Sequence, residues 1–268
     1  MEMRSLKRFI CLLLFFNIYA CSGDIEAPYV ERSVNALYNN ALNALEANEY
    51  SKATKSFEEV ERQHPYSVWA TKAQLMAAYA NYEANKYDDA IFGLDRFIQL
   101  HPGNADTPYA YYLKALSYYE QITDISRDQL VTEKALKALR NVVRRYPQTK
   151  YARSALLKID LTRDHLAGKE MSIGRFYLKK KEYTAAVNRF NRVINQYQTT
   201  THVPEALHRS VEAYTALGLP KEAKKAASVL GHNYPGSEWY TDSYALLMGK
   251  KLSKKKKGFL NRIWNSVF

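Results

Sequence analysis

Apolar positions at steps of three and four recur in five short stretches, each closed by the same kind of stop. In the first, Tyr50, Ala53, Phe57 and Val60 fall on one stripe of a helix that Pro65 ends. A proline cannot donate the next backbone hydrogen bond, and it pushes the residue before it out of helical geometry. Counting back from Pro102 gives Tyr87, Ala90, Leu94 and Phe97; from Pro147, Ala135, Leu139 and Val142. From Gln198, which stands where a proline would, the same offsets give Tyr183, Ala186, Phe190 and Val193; from Pro235 they give Ala223, Ala227 and Leu230. The alanine at a fixed place predicts a tight crossing of two helices, because backbones approach only where one side chain is nearly absent. Twelve positions upstream of four of these alanines lies another small or medium residue: Ala41, Ala78, Gly174 and Val211.

Two helices per stop, repeated five times, resemble the tetratricopeptide repeat, whose helix-turn-helix units of about 34 residues stack into a superhelix. The predicted fold is therefore all-α, a tetratricopeptide-repeat superhelix of five helix-turn-helix units. Residues 32–147 hold repeats one to three and residues 148–248 repeats four and five. Stops lie 37, 45, 51 and 37 residues apart, so the surplus must be placed. In the third unit, Tyr109 to Gln121 reads as the first helix with Ala115 as its small residue, and eight extra residues fall around Asp124 to Thr132. In the fourth, the stretch Tyr151 to Lys181 contains no proline and reads as one long bent first helix, with Gly168 as the place for a kink.

The chain begins with Arg4, Lys7 and Arg8 before an apolar run from Phe9 to Phe16, too short to span a bilayer. This is the form of an export signal over residues 1–20, and Ile18-Tyr19-Ala20-Cys21 resembles a bacterial lipobox in which Cys21 becomes the lipidated first residue. Residues 21–31 then form a polar linker, and Ser22 rather than Asp after the cysteine resembles the rule that sorts such proteins to the outer membrane. Cys11 lies inside the signal, so the mature chain has no pair of cysteines for an internal disulfide and folding rests on stacked apolar faces. At the other end, residues 249–268 read as a basic amphipathic tail. There Lys254, Lys255, Lys256 and Lys257 precede Phe259 and Trp264, suiting it to a membrane surface or a partner protein.

Charge divides the chain. Residues 21–120 carry eight Lys or Arg against fourteen Asp or Glu, whereas residues 121–268 carry twenty-eight against twelve, an asymmetry that points to two different partners. An exported lipoprotein meets no nucleic acid, and the sequence holds no recognised nucleic-acid motif. The first helices of the early repeats present a second stripe beside the packing one: Tyr38 and Leu42 in unit one, Lys72, Leu75, Tyr79 and Tyr82 in unit two, Tyr109, Tyr112 and Tyr119 in unit three. A tyrosine offers a large apolar face and a polar tip, so this stripe reads as a groove for an extended, partly apolar peptide, against the plainer reading that its tyrosines fill gaps between repeats. No catalytic, cofactor or metal site is expected: the six histidines have no ligand spacing and read as repeat punctuation, and no phosphate loop or nucleophile elbow occurs.

The strings LDRFIQLHP (Leu94 to Pro102), VVRRYPQTKYA (Val142 to Ala152) and AAVNRFNRVINQY (Ala185 to Tyr197), set in an exported lipoprotein with five such repeats, resemble the BamD family of the outer-membrane β-barrel assembly machinery. The resemblance implies a non-catalytic scaffold, lipid-anchored on the periplasmic face of the outer membrane, with no cofactor beyond the lipid on Cys21. It implies docking on a BamA POTRA domain through the C-terminal repeats, company with other Bam lipoproteins, and N-terminal repeats that bind targeting segments of unfolded outer-membrane proteins. Val187-Asn188-Arg189 matches a family string at the BamA contact, which implies that Arg189 pairs with an acidic POTRA side chain. A pilotin-like repeat lipoprotein that assists a secretin is the alternative of the same architecture, and a cell-wall enzyme or hydrolase accessory the alternative of another class.

Overall fold

The computed structural model describes residues 31–249, and every regular element among them is an α-helix. In chain order these are α1 (Val34–Glu46), α2 (Tyr50–Gln63), α3 (Val68–Glu83), α4 (Tyr87–Leu100), α5 (Thr107–Tyr119), α6 (Leu130–Arg145), α7 (Lys150–Lys179), α8 (Tyr183–Gln196), α9 (Val203–Ala216), α10 (Pro220–Asn233) and α11 (Glu238–Leu247). Each helix packs on the next, and the backbones of α1, α3, α5, α7, α9 and α11 also approach in succession, whereas those of α2, α4, α6, α8 and α10 stay apart, α2 and α4 meeting through long side chains such as Arg96 and Glu61. The first helices of the hairpins thus form a continuous inner row with the second helices splayed outside it, as expected of a solenoid whose contacts run between neighbours.

The recurring alanines do what their spacing predicts. Ala53, Ala90, Ala135, Ala186 and Ala223 are all fully buried, and Ala41, Ala78, Ala115, Gly174 and Val211 of the preceding helices are buried likewise. In unit four the small residue is a glycine lying under an aromatic ring. A Cβ placed on Gly174 would stand 2.8 Å from Phe190 Cδ1, so only glycine lets this ring lie against the α7 backbone.

Local chemistry sets both kinds of turn. Between the helices of a hairpin, Asn48, Asn85, Lys181 and Gly218 each take a left-handed conformation, with φ of 59°, 58°, 66° and 72°, one residue past the helix cap. This closes the helix in the usual way, and Asn and Gly suit it. Lysine does not. Lys181→Gly is expected to raise stability by about 0.5–1 kcal/mol, read as a higher urea midpoint. Between hairpins, the residues before the five stops (His64, His101, Tyr146, Tyr197 and Tyr234) each leave the helix near φ −130° and accept a hydrogen bond at the carbonyl from the backbone N–H three residues on. Tyr197 does so before Gln198 at φ −123°, so the turn does not depend on proline; Thr200 secures it, its hydroxyl donating to the Tyr197 carbonyl at 2.8 Å.

The two departures from the repeat length meet. The insertion in unit three is the loop of residues 120–129, and the long first helix of unit four is α7, thirty residues running unbroken through Gly168. Lys169 of α7 donates to the carbonyls of Ser126 at 2.8 Å and Arg127 at 3.2 Å, and His165 meets Gln129 at 3.2 Å. Gly168 is buried between this loop and the next turn, where an added Cβ would lie 3.3 Å from His202 and 3.8 Å from Ile125. Close approach from two sides accounts for glycine at this position.

One helix was not foreseen. α11 follows the fifth hairpin, capped by Ser237 as Ser33, Ser67 and Thr149 cap α1, α3 and α7, and it takes the place of the first helix of a sixth unit. It covers the apolar side of α9 and α10 that would otherwise end the row in water, the role of a capping element.

Candidate functional site

On the inner row, α3 and α5 bring their tyrosines together. Tyr79 and Tyr82 of α3 share an apolar cluster with Tyr109 of α5 over Leu75, Ala78 and Leu113. The Tyr109 and Tyr112 rings each lie 5.5 Å from that of Tyr151 at the start of α7, and Tyr82 lies 5.7 Å from Tyr87. Tyr112 is held by a 2.6 Å hydrogen bond between its hydroxyl and that of Ser154. Further along, Lys158 of α7 stands 4.3 Å over the Tyr119 ring. Each of these tyrosines is half-buried, so the fold holds part of the side chain and leaves part of it open to solvent.

Burial raises the Tyr109 hydroxyl well above the ordinary tyrosine value, with Tyr79, Tyr151 and Glu83 adding to it. Burial, then the charge of Glu120, pushes Tyr82 up to about 12. Both hydroxyls keep their protons at physiological pH. The wall therefore offers apolar ring faces and neutral hydroxyl donors, fringed by Glu83, Glu120 and Lys158. That chemistry suits an extended segment with aromatic side chains and free backbone carbonyls.

Two of the expected wall residues lie elsewhere. Tyr38 is only 9% exposed and packs its ring 5.5 Å from Phe57 and 4.7 Å from Trp69, so it fills the space between α1, α2 and α3. Leu75 is buried under Tyr79 in the cluster of unit two. Both face the next hairpin, because the two apolar stripes of a first helix merge where neighbours pack most closely. Leu42 is half-buried beside the first core cluster, and Lys72 is exposed with its ammonium 5.1 Å over Trp69, apart from the tyrosines. Conversely, Tyr87 and Tyr151 join the wall unforeseen; each begins its helix, where the pattern assigned it to packing or to nothing.

In the fourth unit Arg189 is 30% exposed and already paired. Its Nη1 lies 3.2 Å from Glu170 Oε2 on α7, and Arg192 holds the other oxygen at 3.2 Å. Neither arginine spends all its donors on Glu170, which leaves guanidinium N–H groups for a second carboxylate. Cys21, the signal of residues 1–20, the linker to residue 30 and the tail residues Lys254, Lys255, Lys256, Lys257, Phe259 and Trp264 lie outside the described residues.

Histidine serves two purposes. His64 and His101 punctuate the repeats as expected, reaching back to Arg32 O at 2.7 Å and Gln74 at 3.0 Å. His208 does not. It is 2% exposed, with Nδ1 2.8 Å from the Ser243 hydroxyl, Nε2 3.5 Å from Glu212, and its ring 5.3 Å from Trp239. The order Ser, His, Glu imitates a hydrolytic triad, but Ser243 is fully buried, so no substrate reaches it and the group clamps α11 onto α9.

Arg209 completes the clamp, donating to Glu212 at 2.8 Å. Burial works against ionisation of Glu212, yet contacts with His208 and Arg209 outweigh it and hold the carboxyl below its ordinary 4.5. A carboxyl lowered by folding contributes stability that is complete above the unfolded value and lost as pH falls through the folded one. Glu212→Gln is therefore expected to lower the urea midpoint at pH 7 but to cost progressively less below about pH 4.5. Parallel titrations of both proteins at pH 7 and pH 3 check this.

Residues 30–246 match the family described as YfiO, outer membrane lipoprotein. The chain is 52% identical to the outer membrane protein assembly factor BamD of Caulobacter vibrioides over 239 residues, 88% of this chain and 78% of that one. The chain belongs to the BamD family. The BamD of Rickettsia prowazekii is 50% identical over 226 residues, 84% of this chain and 88% of that one. Among solved structures, the TPR domain of P58(IPK) is similar at 16% identity and a TM-score of 0.42, over 80% of this chain and 55% of that one. Membership in the BamD family makes the chain a component of outer-membrane protein assembly, and its described residues include no helix long and apolar enough to cross a membrane.

Proposed function

We propose that the chain is a non-catalytic scaffold of the β-barrel assembly machinery that holds BamA with its C-terminal repeats and unfolded clients with its N-terminal ones. The observation that carries this reading is the open tyrosine wall on α3, α5 and the start of α7. A targeting segment that binds extended and carries aromatic side chains would lay them on the ring faces and its carbonyls against the hydroxyls. At the other end, Arg189 would share its guanidinium between Glu170 and an acidic POTRA side chain, for which its planar fork is better shaped than a lysine. A lipid on Cys21 would keep both halves at the periplasmic face of the outer membrane.

Co-purification of BamA with charge-reversed proteins tests the docking half. Arg189→Glu is expected to abolish BamA retention, while Arg192→Glu, which breaks an ion pair of equal length to Glu170, retains it. Retention by both variants would defeat the assignment. Equal loss in both would show that the contact belongs to the α7–α8 pairing and not to Arg189.

A further inference from the structure

The structure assigns a second binding surface to the outer side of the row: a basic groove along α6, floored by tyrosines, that takes an acidic, extended protein segment. Lys134, Lys137, Arg140, Arg144 and Arg145 fall on one exposed stripe of α6, opposite its core stripe of Ala135, Leu139 and Val142. They border a recess of about 930 Å³ whose floor includes Tyr111 and Tyr118 of α5 and Tyr197 at the end of α8. The helix α5 thus divides its tyrosines, with Tyr109 and Tyr112 toward the inner wall and Tyr111 and Tyr118 toward this groove.

Three observations point to a ligand. Among the described residues, none of the five cations is in an ion pair, although Arg62, Arg96, Lys114, Arg175, Arg189, Arg192 and Arg209 all are. Like charges gathered on one stripe repel one another unless an anion shares them. Second, the arginines are oriented: Arg144 and Arg145 each donate to Asn141 Oδ1 at 3.1 Å, and Arg145 lies 5.2 Å over the Tyr111 ring. Third, the shape is linear. Lys134 to Arg145 spans about 17 Å at 1.5 Å per helical residue, the length of about five residues of extended chain.

A recess favours a protein segment over a bilayer, because a planar layer of headgroups reaches rim lysines but not a tyrosine floor. A peptide that alternates carboxylates with apolar side chains satisfies both. Glu133 in the same recess sets one end of the charge.

The test is fluorescence anisotropy on the full chain with a labelled peptide alternating Glu and Phe, and with the same peptide carrying Gln for Glu. The native chain is expected to bind the acidic peptide with a salt-dependent affinity and the Gln peptide about tenfold or more weakly. Lys137→Glu/Arg140→Glu/Arg144→Glu is expected to lose the acidic peptide by a similar factor without a change in circular dichroism. Should that variant fail to fold, Arg140→Gln/Arg144→Gln gives the same reading with milder changes. Equal binding of the two peptides, or unchanged binding by the folded variant, overturns the proposal. Binding of phosphatidylglycerol vesicles in place of the peptide, lost in the same variant, overturns it in favour of a lipid surface. Tyr79→Ala/Tyr112→Ala is expected to leave the acidic peptide bound, so the fate of the inner wall is read separately.

Discussion

Phe190→Ala is expected to cost about 3–5 kcal/mol, the range for emptying a fully buried aromatic site. Phe190 has no exposed surface and belongs to the core cluster shared by α7, α8 and α9. Its ring lies on Gly174, so the cavity would open at the close crossing of α7 and α8. Gly174→Ala alone is expected to destabilise by about 1–3 kcal/mol through overpacking, since Phe190 has no free space to retreat into. In the Phe190→Ala background the sign should reverse. The methyl then enters a vacated space, and the helix gains about 0.5–1 kcal/mol from replacing glycine. Urea denaturation of the four proteins forms a double-mutant cycle; additive effects would contradict the packing described.

The second large effect falls on binding. Tyr79→Ala/Tyr112→Ala is expected to weaken a barrel protein's C-terminal segment by about thirtyfold or more, as truncation of two central aromatic anchors implies about 2 kcal/mol or more. Tyr112→Phe separates ring from hydroxyl. It removes the bond to Ser154 while keeping the face beside Tyr151, so it should bind within a few-fold of the native chain if ring faces supply the affinity. Isothermal titration with unfolding controls reads both. Because both tyrosines are half-buried, a matching loss of stability would attribute the change to the fold.

Much of this architecture was legible because the repeat writes its packing in residue size. The five alanines and five stops gave the hairpins, and even Gln198 closes its turn as the prolines do. What stayed hidden depends on contacts between segments far apart in sequence. The docking of the 120–129 loop on α7 rests on Lys169 and His165, which look like ordinary surface residues in the chain. Tyr38 and Leu75 hold the same place in successive repeats and both are buried, whereas Tyr79, four residues after Leu75, stays partly exposed. The capping helix does carry a signal in the chain: Pro235-Gly236-Ser237 repeats the pattern of Pro65-Tyr66-Ser67 and Pro147-Gln148-Thr149, each placing an N-cap hydroxyl two residues past the stop. His208 could not be told from punctuation, because its partner Ser243 lies thirty-five residues on.

The central claim is that the inner row of the N-terminal repeats is where an unfolded client is held. Cross-linking tests it most directly, with a photoreactive phenylalanine placed in the C-terminal segment of a barrel protein and the products mapped by mass spectrometry on the full chain. Adducts should gather on the inner faces of α3 and α5 and the first turns of α7, around Tyr79, Tyr109 and Tyr151. Adducts concentrated on the outer faces of α8 and α10 would contradict it.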